Sequence, residues 1–129
     1  MQHAEKKLTT EQKRAAHAWA KASEGVARHH KDYVNDAKGL PALIMNSGLM
    51  QVMAFLQGKG GRHEMLAGHL RNWLHQQCST PEAFEEFMSH LAAMEDARQF
   101  QAITTEAMAW LKWLRQLAPA AEQGTSQEH

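Results

Sequence analysis

Seventeen consecutive residues, Leu40 to Leu56, carry no charge, and that run limits what the chain can become. Leu40, Ala42, Leu43, Ile44, Met45, Leu49, Met50, Val52, Met53, Ala54, Phe55 and Leu56 are too many apolar residues for the one-sided stripe of a surface helix. A segment of this kind is expected to be the buried axis of the fold. At about 100° per residue its polar members, Asn46, Ser47 and Gln51, fall within roughly 140° of one another. Three uses stay open for that narrow strip: water, a partner, or a close helix crossing at Gly48. The run is shorter than the roughly 20 apolar residues of a membrane span and contains Pro41 and Gly48, so no transmembrane segment is expected.

Strands find little support. Valine occurs only at 26, 34 and 52 and isoleucine only at 44 and 103, and no alternating run surrounds them. The expected fold class is all-α: a single compact bundle of about five helices, with a long N-terminal helix and no sheet. A chain of 129 residues can bury a core without staples. Residues 1–118 are expected to form that domain and 119–129 a flexible tail. The lone Cys78 cannot make an internal disulfide, and MQHAEKKLTTEQKR is charged where a secretory signal needs an apolar core. The expected location is the cytoplasm.

Leu8 to Ala37 lacks proline and has only Gly25 as a breaker, which predicts one long helix. Gly39 is expected to cap it, and Pro41 to open a second helix over about Leu40 to Gln57. Gly58-Lys59-Gly60-Gly61-Arg62 follows as a flexible turn with two positive charges. A third helix is expected over about Arg62 to Gln77, with Met65, Leu66, His69, Leu70, Trp73 and Leu74 on one face. Ser79-Thr80-Pro81-Glu82 is expected to cap a fourth, whose core face is Phe84, Phe87, Met88 and Leu91 and whose outer face carries Glu82, Glu85 and Glu86. Glu95-Asp96 opens a fifth, expected to close near Ala118 ahead of Pro119. Trp113 lies roughly 200° from Leu111, off that helix's apolar arc, and is expected as a partner contact.

Formal net charge is zero, yet residues 1–38 hold eight Lys/Arg against five Asp/Glu and residues 76–129 hold three against eight. On a wheel with Trp19 at the origin, Leu8, Ala15, Ala22, Val26, Tyr33 and Ala37 lie within about 60° and form the expected core side. Opposite them, between roughly 100° and 220°, fall Lys6, Lys13, Arg14, Lys21, Arg28, Lys31 and Lys38. Only Glu24 and Asp32 share that arc. A stripe of this kind over about 50 Å suits a nucleic-acid backbone. An ordinary solvated helix face is the competing reading, but such a face mixes signs to form i,i+4 pairs.

Catalytic constellations are not found. His63-Glu64 lacks the second histidine of HExxH, and His63, His69 and His75 stand on different faces. His69 points to the core, His29 and His30 adjoin the basic stripe, and Cys78 near His75 has no third orienting group. GKGG matches the GXXG clamp of KH domains, but a KH domain also needs a three-stranded sheet. No Walker spacing or paired carboxylates on an apolar face occur. No enzyme, metal or cofactor is expected.

KDYVNDAKGLPALIMNSGLMQVMAFLQ, followed by TTEAMAWLKWLRQLA, resembles the small helical subunit of the Cmr-type (type III-B) CRISPR effector complexes. LPALIMNSGL and the pattern of Thr104, Glu106, Ala107, Trp110, Leu111, Trp113 and Leu114 carry the resemblance. Phe100-Gln101 departs from it, since a basic residue is expected after the aromatic. The resemblance implies a non-catalytic structural subunit in antiviral defence. It would be stacked in several copies beside other Cmr-type effector subunits, lining the channel that holds guide RNA and target RNA. The residues expected to contact the RNA backbone are Lys13, Arg14, Lys21, Arg28, Lys31, Lys38, Lys59 and Arg62. A helical protein–protein adaptor without RNA contact and a histidine-based metal-dependent nuclease are the rival readings.

Overall fold

A computed structural model describes residues 7–127, with side chains to 124. Five helices account for it: α1 (Thr10–Ser47), α2 (Leu49–Lys59), α3 (Gly61–Cys78), α4 (Phe84–Ala92) and α5 (Ala97–Gln127). No strand occurs among the described residues. The fold is all-α with a long N-terminal helix, as expected. Its most extensive packing is α1 against α5; α3 lies on α1, α2 bridges α1 and α3, and α4 closes the end over α2 and α3.

A capping box starts α1: the Thr9 hydroxyl accepts from the Gln12 N–H at 3.1 Å and Gln12 Oε1 accepts from the Thr9 N–H at 2.8 Å. The helix does not stop at Gly39. It passes through Gly39 and Pro41 to Ser47, and its one interruption is a kink at His30, with φ 54 and ψ −134. A missing N–H at Pro41 removes a single helical bond, while Leu40 and Ile44 on either side are buried and hold the turn in place. The kink brings the Tyr33 ring onto Gly25, where a Cβ would overlap it.

The real break falls at Gly48, whose φ of 86 is a left-handed value that a side chain would resist. Its N–H donates to Ile44 O at 2.8 Å and its carbonyl accepts from Val52 N at 3.1 Å, so one residue both ends α1 and begins α2. Gly60 does the same between α2 and α3 with φ 69. The glycine-rich stretch is therefore a one-residue corner between helices rather than an open loop.

The start of α4 is also later than expected, at Phe84. Residues 80–83 are occupied otherwise. Arg71, 5 % exposed on α3, donates through Nε to Glu82 O at 2.8 Å and through Nη2 to Glu64 at 2.9 Å, and His75 Nδ1 meets Thr80 O at 2.9 Å. Asp96 does open α5, accepting from Arg98 N at 3.0 Å. That helix continues through Pro119 to Gln127, because Ala118 and Ala121 remain buried against the core. Residues 119–127, expected as a tail, are helical.

The charge-free run is buried on one side only. Leu40, Ile44, Leu49, Val52, Met53 and Leu56 are in the core, whereas Leu43, Met45 and Phe55 are exposed. Asn46, Ser47 and Gln51 are exposed with them.

Candidate nucleic-acid interface

The core side of the first half of α1, residues 10–29, is set by Ala18, Ala22, Gly25 and Val26. On the wheel those four centre roughly 75° from Trp19, on the side of the smallest residues. Small side chains let α5 approach closely, and the large indole is left at the edge. Trp19 is 47 % exposed and Leu8 54 %, so both leave the expected core face.

The same rotation sorts the cations. Arg14 and Lys21 flank the core arc and are half-buried, whereas Lys13 and Arg28 stand clear in solvent. Arg14 is committed internally. Its Nε and Nη2 reach Glu106 Oε2 and Oε1 on α5 at 2.6 and 2.8 Å, and its Nη1 reaches Glu11 at 3.0 Å. The hydrogen bond to Glu106 raises its already high pKa further. Lys21 Nζ lies 3.6 Å from Glu24. Beyond the kink, Lys31 and Lys38 are exposed. Lys13, Arg28, Lys31 and Lys38 make no ion pair among the described residues.

At the α2–α3 corner, Lys59 is exposed and its Nζ sits 5.4 Å from the Phe55 ring centroid. Arg62 turns back onto α1, with Nε 2.8 Å from Asp36 and Nη1 3.9 Å from Asp32. Of the eight candidate cations, the exposed ones on α1 fall into two groups, Lys13 and Arg28 before the His30 kink and Lys31 and Lys38 after it, not one straight stripe. Lys13 and Arg28 mark a segment of about 22 Å before it. Lys6 lies outside the described residues.

Trp113, expected as a partner contact, is partly buried against the core, and its Nε1 donates to Glu11 at 2.9 Å. The tryptophan that stands in solvent is Trp19. Glu106 on α5 is a hub: besides Arg14 it accepts from Trp73 Nε1 at 3.0 Å. No wheel shows the Arg14–Glu106 contact, because it joins residues 92 apart in sequence.

The histidines are structural where they are buried. Trp110 Nε1 can only donate, so His17 Nδ1 accepts from it at 2.9 Å and Nε2–H donates to Asn72 at 2.7 Å. Burial lowers the His17 pKa. His69, expected in the core, is there: Nε2–H faces Glu24 Oε1 at 3.2 Å and Nδ1 accepts from the Tyr33 hydroxyl at 2.9 Å. Burial pulls its pKa down to about 4 and pushes that of Tyr33 up. Burial also raises the Cys78 thiol, so it is not an activated nucleophile. Among the described residues no three His, Cys, Asp or Glu side chains are grouped to hold a metal ion, and no helix is long and apolar enough to cross a membrane.

Residues 10–121 match the sequence profile of the family described as CRISPR-associated protein (Cas_Cmr5). The chain belongs to that family. The matched span runs from the first residue of α1 to Ala121 of α5, so it includes α1 to α4 whole and most of α5 of the Cmr5 bundle. Among solved structures, the fold is similar to the X-ray crystal structure of a CRISPR-associated Cmr5 family protein from Thermus thermophilus, with a TM-score of 0.73 and 24% sequence identity. That likeness covers 88% of this chain and 98% of the Thermus chain. No curated protein matches the sequence. Membership agrees with the resemblance carried by LPALIMNSGL and the tryptophan-rich α5, and the Cmr system it names is the type III-B one.

Proposed function

We propose that this Cmr5 family member is a non-catalytic structural subunit of a type III-B CRISPR ribonucleoprotein. In that role it contacts the RNA backbone through α1 while packing beside other effector subunits. The observation that carries the RNA contact is the group Lys13, Arg28, Lys31 and Lys38, exposed and without ion pairs among the described residues. Cations free of acids attract phosphates without reading sequence. Lys59 is the next contributor, and Lys21 contributes if Glu24 releases it. Arg14 and Arg62 hold the bundle together instead, since their carboxylate partners would have to be abandoned.

Fluorescence anisotropy with single-stranded RNAs of unrelated sequence tests the proposal. Combining Lys13→Glu with Arg28→Glu is expected to weaken binding about tenfold for every sequence. It should also lower the log–log salt slope by about 1.4, two contacts at about 0.7 each. Affinity untouched by the reversals, or insensitive to salt, refutes the assignment.

An adaptor reading has its own support in the exposure of Leu43, Met45 and Phe55 at 41, 77 and 50 %. Under it the assembled complex would keep its RNA contacts when α1 is reversed in charge, and would lose the subunit when those three residues are made polar.

A further inference from the structure

The second half of α1 and the outer face of α5 enclose a groove of about 560 Å³. Pro41 and Met45 line it from α1 and Met108 and Ala109 from α5, on which Lys112 and Arg115 follow toward the C-terminal end of the groove. Met45 is 77 % exposed, the most exposed of the large apolar side chains. Lys112 and Arg115 are exposed and make no ion pair among the described residues, and no acidic residue lines the groove.

Resting on the subunit reading above, we propose that this groove receives an acidic amphipathic helix from a different protein of the assembly. The chemistry is complementary on both counts. Methionine side chains adapt to varied apolar surfaces, and a helix can lay its i, i+3, i+4 and i+7 residues along such a floor. Carboxylates at one end of that helix would meet Lys112 and Arg115, setting its direction. RNA fits less well, because the floor offers no aromatic face on which a base can stack. A second copy of this chain fits less well too. Its own acidic helix, α4, already buries Phe87 and Leu91 in the core and packs Phe84 and Met88 against it.

Photo-crosslinking in the assembled effector complex tests the inference, with p-benzoylphenylalanine in place of Met45, a position exposed enough to leave the fold intact. Mass spectrometry is expected to map the crosslink to an acidic, amphipathic helical segment of another subunit. A second complex carrying Lys112→Glu and Arg115→Glu should give at least a fivefold lower yield. Crosslinking to RNA, to a second copy of this chain, to a segment without acidic residues, or to nothing overturns the proposal. So does a yield unchanged by the two reversals. Absence of the protein from the complex is a separate outcome, and it refutes the subunit reading on which the inference rests.

Discussion

Acidification should destabilise this protein through His69 before the bulk of its carboxylates titrate. The ring is 7 % exposed, between the Tyr33 hydroxyl and Glu24, with Lys21 and His17 adding positive charge nearby. Burial is the largest influence and holds the folded pKa at about 4, against 6.5 in the unfolded chain. Between those two values the unfolded chain takes up a proton and the folded chain does not. The stability His69 confers is therefore complete above pH 6.5, falls as pH drops, and is gone by about pH 4. At about 1.4 kcal/mol per pH unit the loss is about 3 kcal/mol. His17, also lowered by burial, acts in the same direction. Urea denaturation at pH 7 and pH 4 measures the total. The same experiment on His69→Gln isolates the residue: that variant starts less stable, but its loss between the two pH values should be smaller by about 3 kcal/mol. Titration of carboxylates away from His69 contributes equally to both proteins and cancels. An equal loss in the two, or an NMR titration showing His69 protonated near pH 6.5, would refute the assignment.

Other substitutions probe the packing. Gly25→Ala is expected to cost about 1–3 kcal/mol despite alanine's better helix propensity, because its Cβ overlaps the fully buried Tyr33 ring; unchanged stability in urea would show that the kink relaxes freely. Glu106→Ala leaves Arg14 with Glu11 alone and Trp73 Nε1 without its acceptor, a loss of about 3 kcal/mol, read as a lower thermal midpoint. Thr80→Val should raise that midpoint by a few degrees, a gain of about 1 kcal/mol, since Thr80 Oγ1 is buried with no hydrogen-bond partner among the described residues.

Helix existence was legible because the signals for it are local and repeated. The absence of alternating β-branched runs, the apolar rhythm of α3 and the acidic start of α5 all survive into the structure. Helix ends were less legible. Gly39, Pro41 and Pro119 each carry an unfavourable local propensity, but Leu40, Ile44, Ala118 and Ala121 bury against distant partners and override it. The actual break at Gly48 needs the left-handed φ that only the neighbouring helix directions impose. Ser79 to Glu82 resemble a cap in sequence, yet the backbone there is drawn to Arg71 and His75 on α3.

Site residues divide along the same line. A helical wheel orders side chains around one axis, and it recovered the face on which Lys13 and Arg28 lie in solvent. It could not find the acids that meet that face from another helix. Arg14 looks identical to Arg28 on the wheel and Arg62 reads as a free charge in its turn, but Glu106 holds one and Asp36 the other. The kink at His30 has a similar effect on Lys31 and Lys38, which share an arc with Lys13 only on a straight helix. A cation available to RNA is therefore defined by what fails to reach it from the rest of the fold. By that criterion α1 presents two separate basic footholds. Under the RNA-contact proposal, a strand touching both groups has to follow the bend at His30, so a variant that straightens the bend is expected to bind RNA more weakly by fluorescence anisotropy with every cation in place, and unchanged affinity would refute that path.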